Sequence, residues 1–80
     1  MLKRTELRSA LRDARRMVPA SERRRIRRAA GLSARRLASL VGVNHTTVLR
    51  WEAGANPRPG SPREAAYMAA LDIIRDEVEA

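Results

Sequence analysis

The sequence predicts an all-α fold of five short helices, and three observations lead to this prediction. No segment alternates apolar and polar residues in the manner of a half-buried strand. A glycine follows three of the apolar segments with helical spacing, where a left-handed C-cap favours a residue without Cβ. Serine or asparagine precedes four such segments, as an N-cap residue should. The predicted helices span about residues 5–17, 22–30, 34–41, 45–53 and 62–78.

The first predicted helix is basic and amphipathic. Its apolar stripe is formed by Leu7, Leu11, Ala14 and Val18. Arginines occupy most of the remaining surface, so the stripe is the face that can pack against a domain. The second helix is predicted to begin after Ser21 as its N-cap. We therefore assign residues 1–20 to an N-terminal helix that packs on or flanks the domain, and residues 21–80 to the domain itself.

The third and fourth predicted helices are too short to be stable alone. Only Gly42, Val43 and Asn44 connect them, so the two helices must cross steeply and pack on each other. Ala38 is expected where the two axes come closest, because a small side chain is required there. The other residues expected on the buried sides are Leu37, Leu40, Val41, Val48 and Trp51. The opposite side of the fourth helix is then free to face outward.

The final helix has the strongest start signal in the chain. Ser61 is a favourable N-cap, Pro62 suits the first helical position, and Glu64 is placed to close a capping box. The helix carries an apolar stripe formed by Tyr67, Leu71, Ile74 and Val78. We expect the first half of this stripe in the core, which leaves surplus length for a contact with a second subunit.

The chain carries a formal charge of +8, and the excess is distributed unevenly. Residues 1–50 hold fourteen basic and three acidic side chains, whereas residues 51–80 hold three basic and six acidic ones. All the basic residues except Lys3 are arginine, whose guanidinium forms two parallel hydrogen bonds with a phosphate or a guanine edge. A GC-rich coding sequence would explain the preference for arginine, but not the net charge. The basic half predicts a polyanionic partner.

The residue types present argue against catalysis and against bound metals or cofactors. The chain has no cysteine, and His45 is its single histidine, so neither a metal-ligand set nor a nucleophile–base pair can be assembled. The longest apolar stretch, residues 65–71, is far shorter than the ~20 residues of a membrane span. We expect a cytoplasmic protein that is not an enzyme and has no cofactor, small-molecule or membrane partner.

An ordered series of short motifs lies within residues 22–75; it begins with Ile26-Arg27 and closes with Pro59. Between these the series reads Gly31-Leu32-Ser33, Leu37-Ala38, Val41-Gly42-Val43, Thr47-Val48 and Arg50-Trp51-Glu52, followed by Gly54. In this order the motifs resemble the XRE-type family of phage Cro and repressor proteins. The resemblance implies a lambda-repressor-like fold with a helix-turn-helix over residues 33–54, to which the N-terminal helix is an addition. It also implies sequence-specific binding of double-stranded DNA through the major groove.

The resemblance implies base-reading positions at His45, Thr46 and Arg50. It places Asn56 and Arg58 where the loop after the recognition helix meets the sugar-phosphate backbone. His45 has a second interpretation as an ordinary solvated surface imidazole. The complete set of predicted DNA-contacting residues is Ser33, Arg35, Asn44, His45, Thr46, Thr47, Leu49, Arg50, Asn56 and Arg58.

Three of these residues carry an additional or alternative interpretation. Ser33 and Asn44 are N-caps first, and the exposed amides at the helix starts that they cap are positioned to hold phosphates. Leu49 is either a harmless surface residue or a contact to thymine methyl groups. The family commonly has Gln where this chain has Ala34, which offers no hydrogen bond, so we expect the adjacent Arg35 to reach a phosphate instead.

Four residues are predicted to have structural roles: Arg27, Ala38, Trp51 and Glu52. By the resemblance, Arg27 reaches across to Glu52 and ties the first helix of the domain to the recognition helix. Trp51 is expected in the core rather than stacked on a base. The other arginines of the run over residues 23–28 are expected to form a solvated face.

The favoured function is a Cro-like repressor of a phage or mobile element, which acts in the bacterial cytoplasm or nucleoid by occupying an operator. An antitoxin that uses the same fold is the first alternative. A protein-interaction adaptor is the second, although the outer face is basic and polar. A homodimer would place its recognition helices about 34 Å apart on a pseudo-palindrome. The chain is instead a monomer if its N-terminal helix covers the stripe of the final helix.

Overall fold

The computed structural model of the chain describes residues 3–7 and 17–79. Helix is the only regular secondary structure within these ranges, which confirms the predicted all-α class. Residues 4–7 are helical. The helices that follow, α1, α2, α3 and α4, span Ala20–Ala29, Ala34–Val41, His45–Glu52 and Pro62–Glu79. Residues 8–16 of the predicted N-terminal helix, which include Leu11 and Ala14, lie outside the described residues.

The start of α1 differs from the prediction, which assigned the N-cap to Ser21. The helix begins at Ala20, and its N-cap is Pro19. The Pro19 carbonyl accepts hydrogen bonds from the backbone N–H groups of Glu22 (2.8 Å) and Arg23 (3.3 Å). Pro19, at φ −53° and ψ 144°, already has the extended ψ of an N-cap residue, so the helix starts without a side-chain cap. Ser21 consequently lies within the first turn.

The caps of α2 and α3 agree with the prediction. The Ser33 hydroxyl accepts a hydrogen bond from the backbone N–H of Arg36 at 3.0 Å. The Asn44 side-chain oxygen accepts one from the backbone N–H of Thr46, also at 3.0 Å. Between the helices, Gly42 adopts φ 86°, a left-handed conformation that strains any residue with a Cβ. The chain can therefore turn from α2 into α3 within three residues.

The start of α4 combines a side-chain cap with a reciprocal carboxylate. The backbone N–H of Glu64 donates to the Ser61 hydroxyl oxygen at 3.1 Å. The Glu64 carboxylate accepts from the backbone N–H of Gly60 at 2.9 Å. The predicted capping box thus closes onto the residue before the cap, which fastens the loop to the helix as well.

The core lies where the four helices meet. α2 packs against α3, and α4 packs against both α1 and α2. The buried apolar residues are Val18, Ile26, Leu37, Ala38, Val48, Trp51, Tyr67 and Leu71. Val18 enters this core from the non-helical segment 17–19, rather than from a helical stripe as predicted. Leu7, from the same predicted stripe, is 47% exposed.

The prediction that Leu40 lies on the buried side of α2 is wrong, because this residue is 59% exposed. Leu37 and Ala38 are both buried and define the inward side of the helix. At about 100° per residue, Leu40 lies roughly 160° around the helix from Ala38. Val41, about 60° from Ala38, lies on the inward side instead and is partly buried against the core.

The apolar stripe of α4 divides into a buried half and an exposed half. Tyr67 and Leu71 are fully buried, and Ile74 is partly buried against the core. Further along the chain, Val78 is 41% exposed, and Ile73 on a neighbouring side of the helix is 64% exposed. The first half of the stripe is therefore core, as predicted, and the end of α4 extends beyond it.

Candidate nucleic-acid interface

The outer face of α3 is presented to solvent because the inner face is held by the core. Val48 is fully buried and Trp51 is 6% exposed. On the other side Thr46, Leu49 and Arg50 are exposed, and the partly buried residues His45 and Thr47 lie at its margin. An exposed helix face of this size can enter the major groove of B-DNA, where base edges differ in donors, acceptors and methyl groups.

Two of the predicted contact residues are bonded to each other. The Thr46 hydroxyl donates to the Asn44 side-chain oxygen at 2.9 Å, in addition to the backbone bond that caps α3. Thr46 has only one hydroxyl proton, so while this bond persists its oxygen can only accept from a further partner. In the major groove the acceptable partners are then the amino groups of cytosine or adenine.

Ser33 and Arg35, at the start of α2, are both exposed. The Ser33 hydroxyl accepts from a backbone N–H in its capping role, and its own proton is available for another acceptor. Arg35 lies within the first turn of α2, and no hydrogen bond joins its guanidinium to another described residue. This end of α2 therefore presents the Ser33 hydroxyl proton and the Arg35 guanidinium as donors, which suits a phosphate contact.

A cleft of about 480 Å³ lies between α3 and the loop that leads to α4. Its walls include Arg50 from α3, together with Asn56 and Arg58 from the loop. Arg63, in the first turn of α4, also lines the cleft and was not among the predicted site residues. Its position beside the strong Ser61 start signal, directly after the loop, was the available clue. The cleft thus brings three arginines next to the outer face of α3.

Arg23 corrects the expectation that the arginines of residues 23–28, Arg27 apart, form a solvated face. Arg23 is only 3% exposed. Its guanidinium donates to the carbonyl oxygens of Val18, Trp51 and Ala55 and to the side-chain oxygen of Asn56. Arg23 has helical spacing from buried Ile26 and Arg27, so the pattern already placed it on the inward side of α1. The burial of Arg23 was missed because arginine was assumed to be exposed.

The Arg27–Glu52 pair expected from the resemblance is present. Arg27 Nε lies 2.6 Å from Glu52 Oε2, and Nη2 lies 3.0 Å from Oε1, so the contact is bidentate. Arg27 Nη1 also donates to the Leu32 carbonyl at 2.8 Å. The side chains of Arg27 and Glu52 are 9% and 3% exposed. The hydrogen bonds to Glu52 raise the pKa of Arg27, which keeps it charged and joins α1 to α3.

Tyr67 is fully buried and packs against Trp51. The two aromatic ring centroids are 4.6 Å apart, with the planes tilted by 40°. The Tyr67 hydroxyl is buried and has no hydrogen-bond partner among the described residues. Burial, and secondarily the negative charge of Glu52, raise the pKa of Tyr67 to about 12. The phenol is consequently neutral at physiological pH.

Residues 3–7 and 17–79 contain neither a metal-ligand cluster nor a membrane-spanning helix. No group of three or more His, Cys, Asp or Glu side chains in this part of the chain is arranged to hold a metal ion. Among the helices described there, none has the length and apolar character needed to cross a bilayer.

Comparison with known proteins agrees with this geometry. The family described as a helix-turn-helix domain matches residues 22–80, which is most of the chain. No curated protein and no solved structure gives a significant match. The match includes α2, α3, the turn between them and all of α4. The chain therefore belongs to the helix-turn-helix domain family, consistent with its resemblance to XRE-type repressors.

Proposed function

We propose that this DNA-binding helix-turn-helix protein is a sequence-specific transcriptional regulator, and specifically a Cro-like repressor of a phage or mobile element. The observation that carries the proposal is the exposed outer face of α3, with Arg50 in the last turn of the helix and the arginine-lined cleft beside it. Base-reading donors and phosphate-binding donors are thereby adjacent on one surface. Such a protein would work on the nucleoid, in the bacterial cytoplasm.

In the proposed complex, α3 lies in the major groove. Arg50 grips the O6 and N7 atoms of a guanine, a contact worth about 1 to 3 kcal/mol of discrimination. Thr46 and His45 contact neighbouring bases, and the methyl groups of Leu49 meet a thymine methyl. These residues lie on the exposed side of α3 or at its margin, and no core residue covers them.

The phosphate contacts come from the elements on either side of α3. Arg58 and Asn56 bind the backbone from the loop, and Arg35 binds it from the first turn of α2. The capped starts of α2 and α3 add backbone amides, which favour anions because the positive end of the helix dipole lies there. Contacts of this kind fix the register of the protein but carry no sequence information. Repression then follows from occupancy of the operator.

We also propose that two copies bind a pseudo-palindromic operator through the ends of α4. The exposed residues Ile73 and Val78 support this proposal, because they offer apolar surface beyond the core. Light scattering with and without operator DNA is expected to give two protein chains per duplex. A one-to-one complex on an asymmetric site would contradict the dimer.

The same end of α4 supports one alternative function. Acidic residues accompany its exposed apolar side chains, as at Asp76 and Glu77, so a basic partner protein would also fit. An antitoxin that binds DNA with α3 and a toxin with α4 would use both surfaces. Co-expression with the product of the neighbouring gene, followed by size-exclusion chromatography, is expected to give a stable complex only under this alternative.

Selection of bound sequences from random duplex DNA tests the main proposal. The full chain is expected to enrich a short motif, and half-sites one helical turn apart would appear if the dimer forms. Arg50→Ala, selected in parallel, is expected to enrich a motif that has lost one G·C pair. Recovery of unenriched DNA by the folded parent protein would contradict sequence-specific regulation.

A further inference from the structure

Resting on the proposed DNA-binding function, we propose that Arg23 is a positioning residue for DNA binding. It orients the Asn56 side chain so that the Nδ2 group donates to a phosphate of the duplex. Arg23 itself is 3% exposed and touches no DNA in this arrangement. Its effect on binding passes entirely through the loop that follows α3.

The N–H groups of Arg23 donate hydrogen bonds to each of the segments that it joins. Nε donates to the Val18 carbonyl at 2.6 Å, which fixes the guanidinium relative to the start of α1. Nη1 donates to the carbonyl of Trp51 at 2.8 Å and to that of Ala55 at 3.0 Å. Nη2 donates to Asn56 Oδ1 at 2.7 Å. One buried cation therefore connects α1 with the end of α3 and with two consecutive loop residues.

The position of these acceptors explains why the contact is favourable. The last carbonyl groups of a helix lack intrahelical partners, and the negative end of the helix dipole lies there. Arg23 supplies both a donor and a positive charge to the end of α3, at Trp51 and just beyond it at Ala55. Hydrogen bonds from a charged donor are stronger than those between neutral groups, so the loop conformation is strongly specified.

The Asn56 amide is oriented by elementary hydrogen-bond chemistry. A guanidinium has only donors, so the Asn56 atom facing Nη2 must be the oxygen. The amide is planar, and Nδ2 with its two N–H groups is directed away from Arg23. Asn56 is exposed and lines the cleft together with Arg50 and Arg58. Within residues 3–7 and 17–79 no acceptor takes these protons, which leaves them for a phosphate oxygen.

A double-substitution cycle tests the proposal. In the parent protein, Asn56→Ala is expected to weaken affinity for duplex DNA about ten-fold, the loss of one hydrogen bond to a charged acceptor. In the Arg23→Met background, the same change is expected to weaken affinity less than about two-fold, because the amide is no longer held. All affinities are measured at one temperature at which circular dichroism shows each variant to be folded.

Arg24→Met is the matched control, because Arg24 is the exposed neighbour on the same helix and its loss removes the same charge. In that background, Asn56→Ala is expected to cost the full ten-fold again. If Arg23 only stabilises the fold, Asn56→Ala costs the same factor in all three backgrounds, and the proposal is overturned. It is also overturned if Asn56→Ala leaves parent affinity unchanged. Failure of the parent to bind any duplex would instead remove the proposed function.

A measurement on the unsubstituted protein keeps the test independent of whether Arg23→Met folds. In ¹⁵N-labelled parent protein, the Asn56 side-chain amide is expected to give two separate proton signals that shift when duplex DNA is added. The shift should saturate with the same dissociation constant as the signals of α3. An Asn56 amide signal that stays unmoved at saturation would overturn the proposal, while moving α3 signals would preserve the DNA-binding function.

Discussion

The inner and outer faces of α3 contrast in what satisfies their polar groups. On the inner face the Glu52 carboxylate is 3% exposed, and Arg27 matches both of its oxygens. On the outer face Arg50 is exposed, and no hydrogen bond joins its guanidinium to another described residue. The charged groups of the inner face therefore stabilise the fold, whereas the hydrogen-bond donors of the outer face are available to a ligand. Substitutions on the two faces should separate stability from DNA binding.

Glu52→Ala is expected to have the largest effect of any single change considered. It leaves the buried Arg27 without its carboxylate, and the loss of one member of such a pair costs about 3 to 5 kcal/mol of unfolding free energy. Urea unfolding and thermal unfolding, each monitored by circular dichroism, measure the change. Glu22→Ala is the control, because the Glu22–Arg25 pair is exposed and such pairs contribute little to stability. A melting temperature within about a degree or two of the parent would show that Glu52 contributes as little as an exposed residue.

Alkaline pH is expected to have the next largest effect, again on the inner face. The pKa of Tyr67 is about 12 in the folded protein against 10.0 for an ordinary tyrosine. The unfolded chain therefore releases this proton first, and stability is retained below pH 10 and lost as the pH rises toward 12. With 1.36 kcal/mol for each pKa unit, the loss is about 2 to 3 kcal/mol.

Tyr67→Phe is the matched variant for this pH dependence. It removes the hydroxyl that has no hydrogen-bond partner among the described residues, so stability at pH 7 is expected to stay equal or rise slightly. Unfolding free energies of both proteins, measured between pH 8 and pH 12, should diverge above about pH 10. Parallel profiles over the whole range would mean that Tyr67 does not titrate differently on folding.

Features that depend on residues close together in the sequence could be predicted, whereas features that depend on distant residues could not. The bounds of α2 agree with the prediction, and the caps Ser33 and Asn44 are correct, because a cap bonds to a backbone group only two or three residues away. The burial of Arg23 was missed because arginine was assumed to be exposed, and its acceptors at Trp51 and Asn56, 28 and 33 residues along the chain, could not be identified locally. No local pattern reports such partners. Leu40 was misplaced because an apolar residue on a short helix was assumed to be inward.

The candidate site shows the same division between local and distant information. The resemblance supplied Arg50, Asn56 and Arg58, and these residues do line one cleft. Their DNA contacts remain predictions. Arg63 was not included, although it lines the same cleft, because it lies beyond the loop positions to which the resemblance assigns DNA contacts, and it joins the others only when α4 folds back on α1 and α2.

Arg50→Ala tests the outer face and is expected to change specificity rather than stability. Its guanidinium is exposed and holds no other described residue, so the unfolding free energy should change little. If Arg50 grips a guanine, its removal costs about 1 to 3 kcal/mol of discrimination between operator and scrambled DNA. Competition binding measures that ratio. An unchanged operator-to-scrambled ratio would remove Arg50 from the base-reading residues.

Arg58→Ala is expected to have the smallest effect. It tests whether the loop contacts only the sugar-phosphate backbone, while α3 contacts the bases. Arg58 lines the same cleft as Arg50, but it lies in the loop between α3 and α4, where the sugar-phosphate backbone would pass. A phosphate contact carries charge and no sequence information, so operator and scrambled DNA should lose affinity by the same factor. One fewer counterion is then released on binding, and the slope of log affinity against log salt should fall in magnitude by about one unit. Arg50→Ala, titrated over the same salt concentrations, is the comparison, because its loss must alter the ratio of the two affinities as well. A change in that ratio for Arg58→Ala would assign Arg58 to base reading. Base contacts would then come from the loop as well as from α3.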